Sequence, residues 1–345
     1  MKRIMTKLAG QNDKKGHSAT LNVAVIGGGF GREHIKGFLA DRERFRLKTF
    51  CDQNPETVER IRKEFALPDT CKVCTDFQEV LDDSGIDAVA ISLPHHLHEP
   101  VAVEAAKNKK HLLLDKPISR TLKEADHIIE AAKTNKVTLM IAHTQRFVPF
   151  FQELHAQVAS GAIGQPLYAA TCHYQNFNPP AGAAWRSKQS VGGGCVIGSG
   201  VHNLDMMRWL FGEPLEVFAY SVKDKQRLKT EAAASISFRF KNGLVVNFIC
   251  NWMIHSNIPW GEWKVFGTRG DIYLNRDDLQ VGHEFGRKVE RVVSVSGKYE
   301  NMYTHFYNCI TRKTEPLTSG LEGRASLGLV LKIYDSIERG CPVSC

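Results

Sequence analysis

The stretch Asn22-Val23-Ala24-Val25-Ile26-Gly27-Gly28-Gly29-Phe30-Gly31-Arg32-Glu33-His34 decides the fold. Residues 22–27 are a short apolar run that stops on glycine, the pattern of a strand buried on both faces of a parallel sheet. Glycines follow where a tight turn must enter a helix, and 32–41 reads as that helix. Moving outward, the same alternation repeats. Runs at 47–51, 88–93, 111–114 and 137–142 predict further strands. Helices are predicted over 55–65, with Pro55 near its start, over 98–109, and over 121–134, where Leu122, Ala125, Ile129 and Ala132 share one face. Strand alternating with helix to about residue 150 predicts a doubly wound parallel sheet.

The second half has a different grain. Runs at 167–174, 216–220, 232–240, 244–251, 263–266 and 271–275 are alternating or aromatic, and Lys241-Asn242-Gly243 is a hairpin turn signal. With no helices between them, these strands predict a largely antiparallel sheet, closed by a helix near 325–339. The fold class is therefore α/β followed by α+β. The expected units are a flexible basic tail over 1–20, a cofactor-binding unit over 21–148, and a substrate and oligomerisation unit over 149–345.

Composition supports two substantial cores. The chain has 345 residues, 43% hydrophobic and 24% charged, ordinary values for a globular protein. No apolar run approaches the roughly 20 residues that span a bilayer, so no membrane partner is expected. The tail's Lys2, Arg3, Lys7, Lys14 and Lys15 against Asp13 account for +4 of the formal +8. Half of the basic balance is thus a tail property, and no nucleic-acid partner is expected. Nine scattered cysteines, an odd number, fit reduced thiols in the cytoplasm. Cys71-x-x-Cys74 stands alone, without a second pair at zinc spacing, and no metal is expected.

Gly27, Gly29 and Gly31, between strand and helix, suit the approach of a dinucleotide pyrophosphate to a helix N-terminus. The spacing is one residue shorter than the usual G-x-G-x-x-G. Asp52 ends the second strand, 21 residues after Gly31, near the offset for ribose hydroxyl recognition. Gln53 and Asn54 follow it rather than arginine, which favours NAD over NADP. Leu93-Pro94-His95-His96-Leu97-His98 lies at a strand end, where open α/β sheets face their cofactor crevice. Three histidines invite a metal reading, but no nearby acid or cysteine completes a ligand set. In Asp115-Lys116-Pro117, a lysine beside a cofactor can hold a substrate hydroxyl, relay its proton and offset a developing alkoxide.

Together with Gly192-Gly193-Gly194-Cys195-Val196-Ile197-Gly198-Ser199-Gly200-Val201-His202-Asn203-Leu204-Asp205, these motifs resemble the glucose–fructose oxidoreductase, inositol dehydrogenase and rhizopine-catabolism (Gfo/Idh/MocA) family, across roughly 21–343. The resemblance implies a Rossmann unit and an NAD(P)-dependent hydride transfer at a sugar or polyol carbinol. It adds Phe30 of the glycine turn to the cofactor contacts. It makes Leu93, Pro94, His95 and His98 loop-shaping or cofactor-contact residues. It places Asp115 and Lys116, where the family usually has Glu-Lys-Pro, beside the nicotinamide. Arg146 falls in a segment resembling the family's H-N-x-R-F at the domain joint, and Trp185-Arg186 resembles its W-R cofactor and substrate contact. Lys116, His202 and Asn203 are the implied substrate contacts, with His202 the preferred acid–base residue and Lys116 assisting.

The family pattern G-G-G-x-x-x-D-x-G-x-H-x-x-D sets an aspartate and a histidine four apart on one helical face. Here the aspartate has become Gly198. Either another contact replaces the carboxylate, or the substrate needs the room. Asp205 reads as structural. The resemblance also implies a homodimer or homotetramer through an exposed sheet face. Two other functions stay open: a glycoside hydrolase using bound NAD for transient oxidation, and a non-catalytic nucleotide- or sugar-sensing regulator.

Overall fold

The computed structural model describes residues 20–177, 185–224, 228–256, 261–283, 288–292, 294–295 and 297–345. The tail expected over 1–20 lies outside them, Thr20 excepted. The chain begins with β1 (Leu21–Ile26), α1 (Gly31–Ala40), β2 (Phe45–Cys51), α2 (Pro55–Glu64), β3 (Lys72–Cys74), α3 (Gln78–Leu81), β4 (Ala88–Ile91), α4 (His98–Lys107), β5 (His111–Leu114), α5 (Leu122–Asn135) and β6 (Leu139–Ile141). The strands form one sheet in the order β3-β2-β1-β4-β5-β6, every pairing parallel. Val23, Val25, Ala90 and Ile91 are fully buried, so the apolar runs read correctly as strands covered on both faces. Chain direction across the sheet reverses between β1 and β4. That switch point opens a crevice beyond their C-terminal ends, between Gly27 and Ser92.

The helix starts differ in a way that bears on this crevice. Asn54 Oδ1 accepts the Glu56 amide at the start of α2 (2.9 Å), and Thr121 Oγ1 accepts the Glu124 amide at the start of α5 (3.2 Å). The start of α1, at Phe30–Gly31, has no side-chain cap. Its first amides are left for another acceptor.

The chain continues with α6 (Pro149–Ala159), β7 (Pro166–Tyr174), α7 (Val201–Phe211), β8 (Glu216–Val222), β9 (Ala233–Arg239), β10 (Val245–Asn251), β11 (Gly261–Gly267), β12 (Gly270–Asn275), β13 (Asp278–His283), β14 (Lys288–Val292), α8 (Met302–Arg312), α9 (Gly320–Arg339) and β15 (Val343–Ser344). The second sheet runs β14-β13-β12-β11-β7-β10-β9-β8-β15. It is antiparallel except for β7 with β10. Its inner face buries Phe238, Phe248, Trp252 and Trp263, each fully buried large side chain contributing about 1.5–3 kcal/mol. The sequence reading omitted β3, α3, α6, β13, β14, α8 and β15, and it began the closing helix five residues late.

The last two helices return to the first sheet. Met302, Phe306 and Tyr307 of α8 bury with Phe38, Phe45 and Val23. Gly320 and Gly323 let α9 lie against β6: a Cβ at Gly320 would stand 2.6 Å from Leu139, and one at Gly323 2.7 Å from Ile141. This packing fixes the second sheet over the crevice of the first.

Candidate active site

A cavity of about 1000 Å³ runs between the two sheets, from Asp52 and Asn54 to His173 and His202. At one end the glycine turn forms its wall. Gly27 has φ +99°, and a Cβ there would sit 2.1 Å from the Ser92 carbonyl oxygen, so only glycine permits β1 and β4 to approach in this way. A Cβ on Gly29 would meet nothing within 4 Å. Asp52 Oδ2 accepts the Gly28 amide (2.7 Å) and Oδ1 the Asn54 amide (2.9 Å). Each carboxylate oxygen retains a lone pair for a further donor. Gly27, Gly29, Phe30 and Asp52 line the cavity; Gly31 opens α1 behind them.

Leu93, Pro94 and His95 line the middle. His95 Nδ1 donates to the Gly192 carbonyl (2.7 Å), and its ring meets Trp185 edge-on at 4.6 Å. That contact ties the β4 loop to the second unit. Burial and the nearby His98, Lys116 and Arg186 hold His95 well below the usual histidine range. His98 does not reach the cavity. Its two ring nitrogens lie 2.9 Å from the Pro117 and Leu93 carbonyls. Burial keeps its pKa low, so the neutral ring donates to one carbonyl at a time. Its place is loop-shaping.

Asp115 lines the cavity with its carboxylate engaged: His34 Nε2 donates to Oδ1 (2.9 Å) and the Ser92 hydroxyl to Oδ2 (2.5 Å). Burial pushes its pKa up, but His34 and Ser92 outweigh that and hold it low. Next to it, Lys116 Nζ donates to the Gly198 carbonyl at 2.6 Å. Desolvation, then the charge of Arg186, bring its pKa down to about 8.

The triple glycine is clamped from below. A Cβ on Gly194 (φ +131°) would stand 2.4 Å from Glu231 Oε1. That same oxygen accepts the Val196 amide (3.0 Å) and the Tyr334 hydroxyl (2.8 Å). Residues Val196–Gly200 then form a π-helical turn before α7. The single helical face expected for positions 198 and 202 is therefore interrupted, and π turns of this kind recur at functional sites. Gly198 and His202 both line the cavity. His202 Nδ1 has no hydrogen-bond partner among the described residues. Burial, then the charges of Lys116 and neighbouring His143 and His173, keep His202 well below the ordinary histidine value.

The space beside Gly198 belongs to Trp252. A Cβ at 198 would lie 2.8 Å from its Cη2 and 2.9 Å from its Cζ2. The indole donates to Ser199 Oγ (2.9 Å), Ser199 donates to Gln175 Oε1 (3.0 Å), and Phe177 stacks on the indole at 4.0 Å. The family carboxylate is thus displaced by an aromatic ring rather than by room for substrate, and the Gly198 carbonyl supplies the contact to Lys116.

Besides Gly31 and His98, two further predicted residues are not brought to the cavity. Arg146 is buried away from the cavity. Its guanidinium is spent on Asp205 (2.7 and 2.8 Å), Glu322 (2.8 Å) and the Leu317 carbonyl (3.3 Å), a joint between α7 and α9. Asn203, on α7, is buried against β7, donating to Thr171 Oγ1 at 2.9 Å. The cofactor reading of Arg146 and the substrate reading of Asn203 are corrected accordingly. Asp205, at the centre of the Arg146 network, is structural as read. Trp185 and Arg186 line the cavity, with the Arg186 guanidinium 5.3 Å over the Trp185 ring.

Sequence reasoning missed His173, Gln175 and Ser199, which line the cavity together with Lys116. His173 is pushed down to about 4 by burial and the Lys116 charge. The available signal was a polar run, Thr171, His173 and Gln175, at alternate positions along and just beyond β7. Among the described residues, no cluster of three potential metal ligands occurs, and no helix is long and apolar enough to cross a membrane.

Comparison with known proteins agrees with this geometry. Residues 21–143 match the oxidoreductase family with an NAD-binding Rossmann fold, and residues 151–273 match the Gfo/Idh/MocA C-terminal domain. Myo-inositol 2-dehydrogenase of Thermotoga maritima is 32% identical, over 77% of this chain and 82% of that protein. Levoglucosan dehydrogenase of Pseudarthrobacter phenanthrenivorans is 27% identical over 76% of each. A structure of levoglucosan dehydrogenase with NADH and levoglucosan superposes with a TM-score of 0.85, covering 94% of this chain and 99% of that one at 24% identity, a likeness of fold. The chain belongs to the Gfo/Idh/MocA oxidoreductase family, and its cofactor is NAD.

Proposed function

We propose that this member of the Gfo/Idh/MocA family interconverts a sugar or polyol carbinol and its carbonyl. The observation that carries the reading is that Lys116 and His202 face one cavity whose far end holds Asp52 and the glycine turn. The residues suit a dinucleotide. The uncapped start of α1 and the open face of Gly29 would receive the diphosphate. Asp52 would take the adenosine ribose, while Leu93, Pro94, His95 and Trp185 would wall the nicotinamide. NAD supplies the hydride acceptor or donor when bound.

The chain's own residues handle the proton. An ammonium with a pKa near 8 exchanges protons readily at neutral pH. His202 is held neutral by desolvation. This supports Lys116 as the group that takes or gives the carbinol proton, with His202 as a neutral hydrogen-bond partner on the same oxygen, the reverse of the sequence reading. The Gly198 carbonyl fixes Lys116 Nζ, and Asp115, held by His34 and Ser92, fixes the backbone that carries it.

We assign the cofactor half to residues 21–148 and the substrate half to 149–345. Assembly as a homodimer or homotetramer is supported by the outer face of the second sheet, where Tyr220 is 68%, Val222 54% and Phe266 43% exposed. Nine free thiols suit the reducing cytoplasm. The test is a screen of polyols, aldoses and glycosides with NAD at 340 nm, after identification of any co-purified nucleotide. Net NADH formation supports the dehydrogenase. Turnover of a glycoside with no net absorbance change would assign the hydrolase instead, and nucleotide binding without any turnover would assign the sensor.

A further inference from the structure

Five charged side chains line the cavity: Asp52, Arg60, Asp115, Lys116 and Arg186. Asp52 and Arg60 belong to the β2–α2 end, where Arg60 lies 3.6 Å from Glu64. The other three lie close enough to act on one another electrostatically, and their charges, one anion against two cations, do not balance. Both Asp115 oxygens are taken by His34 and Ser92. Lys116 rests on an uncharged carbonyl, that of Gly198. Trp252 blocks the only direction in which a side chain at 198 could add a carboxylate. Arg186 is half-buried over Trp185; no carboxylate among the described residues forms a direct ion pair with it, and the one that acts on it at longer range is Asp115, already engaged by His34 and Ser92. His173 and His202 add hydrogen-bonding capacity but no counter-charge.

Two cations held out of bulk water with one engaged anion between them are unfavourable unless a ligand brings the missing charge. The cofactor's diphosphate would take the uncapped start of α1, in the first sheet's unit, whereas Arg186 is carried by the segment that precedes α7 in the second. A guanidinium fork matches a carboxylate in bidentate fashion.

Resting on the oxidoreductase reading above, we propose that the substrate is a sugar acid, a uronate or aldonate, whose carboxylate seats on Arg186 while a carbinol of the same molecule meets Lys116 and His202. Arg186 is then the specificity-determining residue: it selects the acid over the neutral sugar of the same stereochemistry.

The experiment compares matched pairs with NAD: glucuronate with glucose, galacturonate with galactose, gluconate with sorbitol. At least one acid should exceed its neutral partner ten-fold or more in kcat/KM, and the gap should shrink at high salt. Arg186→Met should lower kcat/KM on that acid at least ten-fold more than on the neutral partner, while Arg186→Lys retains part of the preference. The dissociation constant of NADH, read by fluorescence, should stay within about three-fold in both variants. Neutral sugars preferred in every pair would overturn the proposal. So would hexose phosphates outcompeting the acids, or an Arg186→Met that loses NADH ten-fold and both substrate classes alike, which would give the guanidinium to the cofactor. Should none of these sugars turn over, calorimetric titration of each into the protein–NADH complex decides, and no acid binding more tightly than its partner overturns the assignment. Failure of the underlying oxidoreductase reading looks different, with no NADH binding and no absorbance change with any sugar, and it would remove both.

Discussion

Replacing Gly198 by alanine puts a single methyl group where Trp252 stands. The new Cβ would lie 2.8 Å from Cη2 of the indole. Comfortable carbon–carbon contact is about 3.5–4.0 Å, so the ring must retreat by at least roughly 0.7 Å. Phe177, stacked 4.0 Å away, and the indole's bond to Ser199 oppose that retreat. Overpacking of this kind costs about 1–3 kcal/mol. Alanine also gains about 0.5–1 kcal/mol over glycine in helical backbone, so the single variant understates the clash. A double-mutant cycle removes the backbone contribution. Trp252→Phe deletes the outer ring atoms that meet the new methyl, and in that background Gly198→Ala should regain about 1–3 kcal/mol in urea unfolding. A coupling below about 0.5 kcal/mol, the scatter between independent sites, would refute the claim that the indole holds this space. The companion variant, Gly198→Asp, adds a carboxylate to the same clash. It should lose both stability and turnover. A folded Gly198→Asp with raised turnover on ordinary polyols would show that the ring yields easily and that the wild type is a weakened dehydrogenase.

Three further outcomes follow from the site. Lys116→Met should lower kcat by on the order of 10²–10⁴-fold with NADH affinity nearly unchanged. In the wild type, the neutral amine needed for oxidation accumulates as pH rises through about 8, so oxidation should climb to a plateau above that pH and reduction should fall. A flat profile from pH 6 to 10 would remove Lys116 from the proton transfer. Asp52→Ala should weaken NAD by roughly 10–100-fold, the worth of hydrogen bonds to a charged acceptor, and narrow its advantage over NADP. Equal or tighter NADP binding in the wild type would defeat that assignment. Glu231→Ala leaves the Val196 amide and the Tyr334 hydroxyl without their shared acceptor, so unfolding free energy should drop by about 1–3 kcal/mol and KM should rise as the glycine turn loosens. An unchanged melting curve would show that Glu231 does not hold the turn.

What the sequence revealed divides by the range of the interactions involved. Strands β1, β4, β5 and β6 were legible because a strand covered on both faces must be apolar throughout. The edge strand β14 faces water, and Lys288–Val292 carries two charges of one sign and one of the other in five residues, so no run stands out; its neighbour β13 buries only Leu279, Val281 and Gly282 among polar residues, too short a run to read. The glycine turn and Asp52 could be placed on the cavity because local backbone geometry fixes both their spacing and their direction, whereas Lys116 stood out only through the family resemblance. Arg146 was misplaced because a lone arginine in a motif says nothing of its acceptors, and Asp205 and Glu322 come from α7 and α9. Gly198 is the sharpest case. Its glycine is required by an indole 54 positions further along, reached only because β10 delivers Trp252 beneath the π-helical turn. Read alone, the position looks like a lost catalytic group. With Trp252 in place, the loss is an exchange: an aromatic ring fills the space beside Gly198, the backbone carbonyl steadies Lys116, and, on the proposal above, the negative charge that a side chain would have provided comes with the ligand.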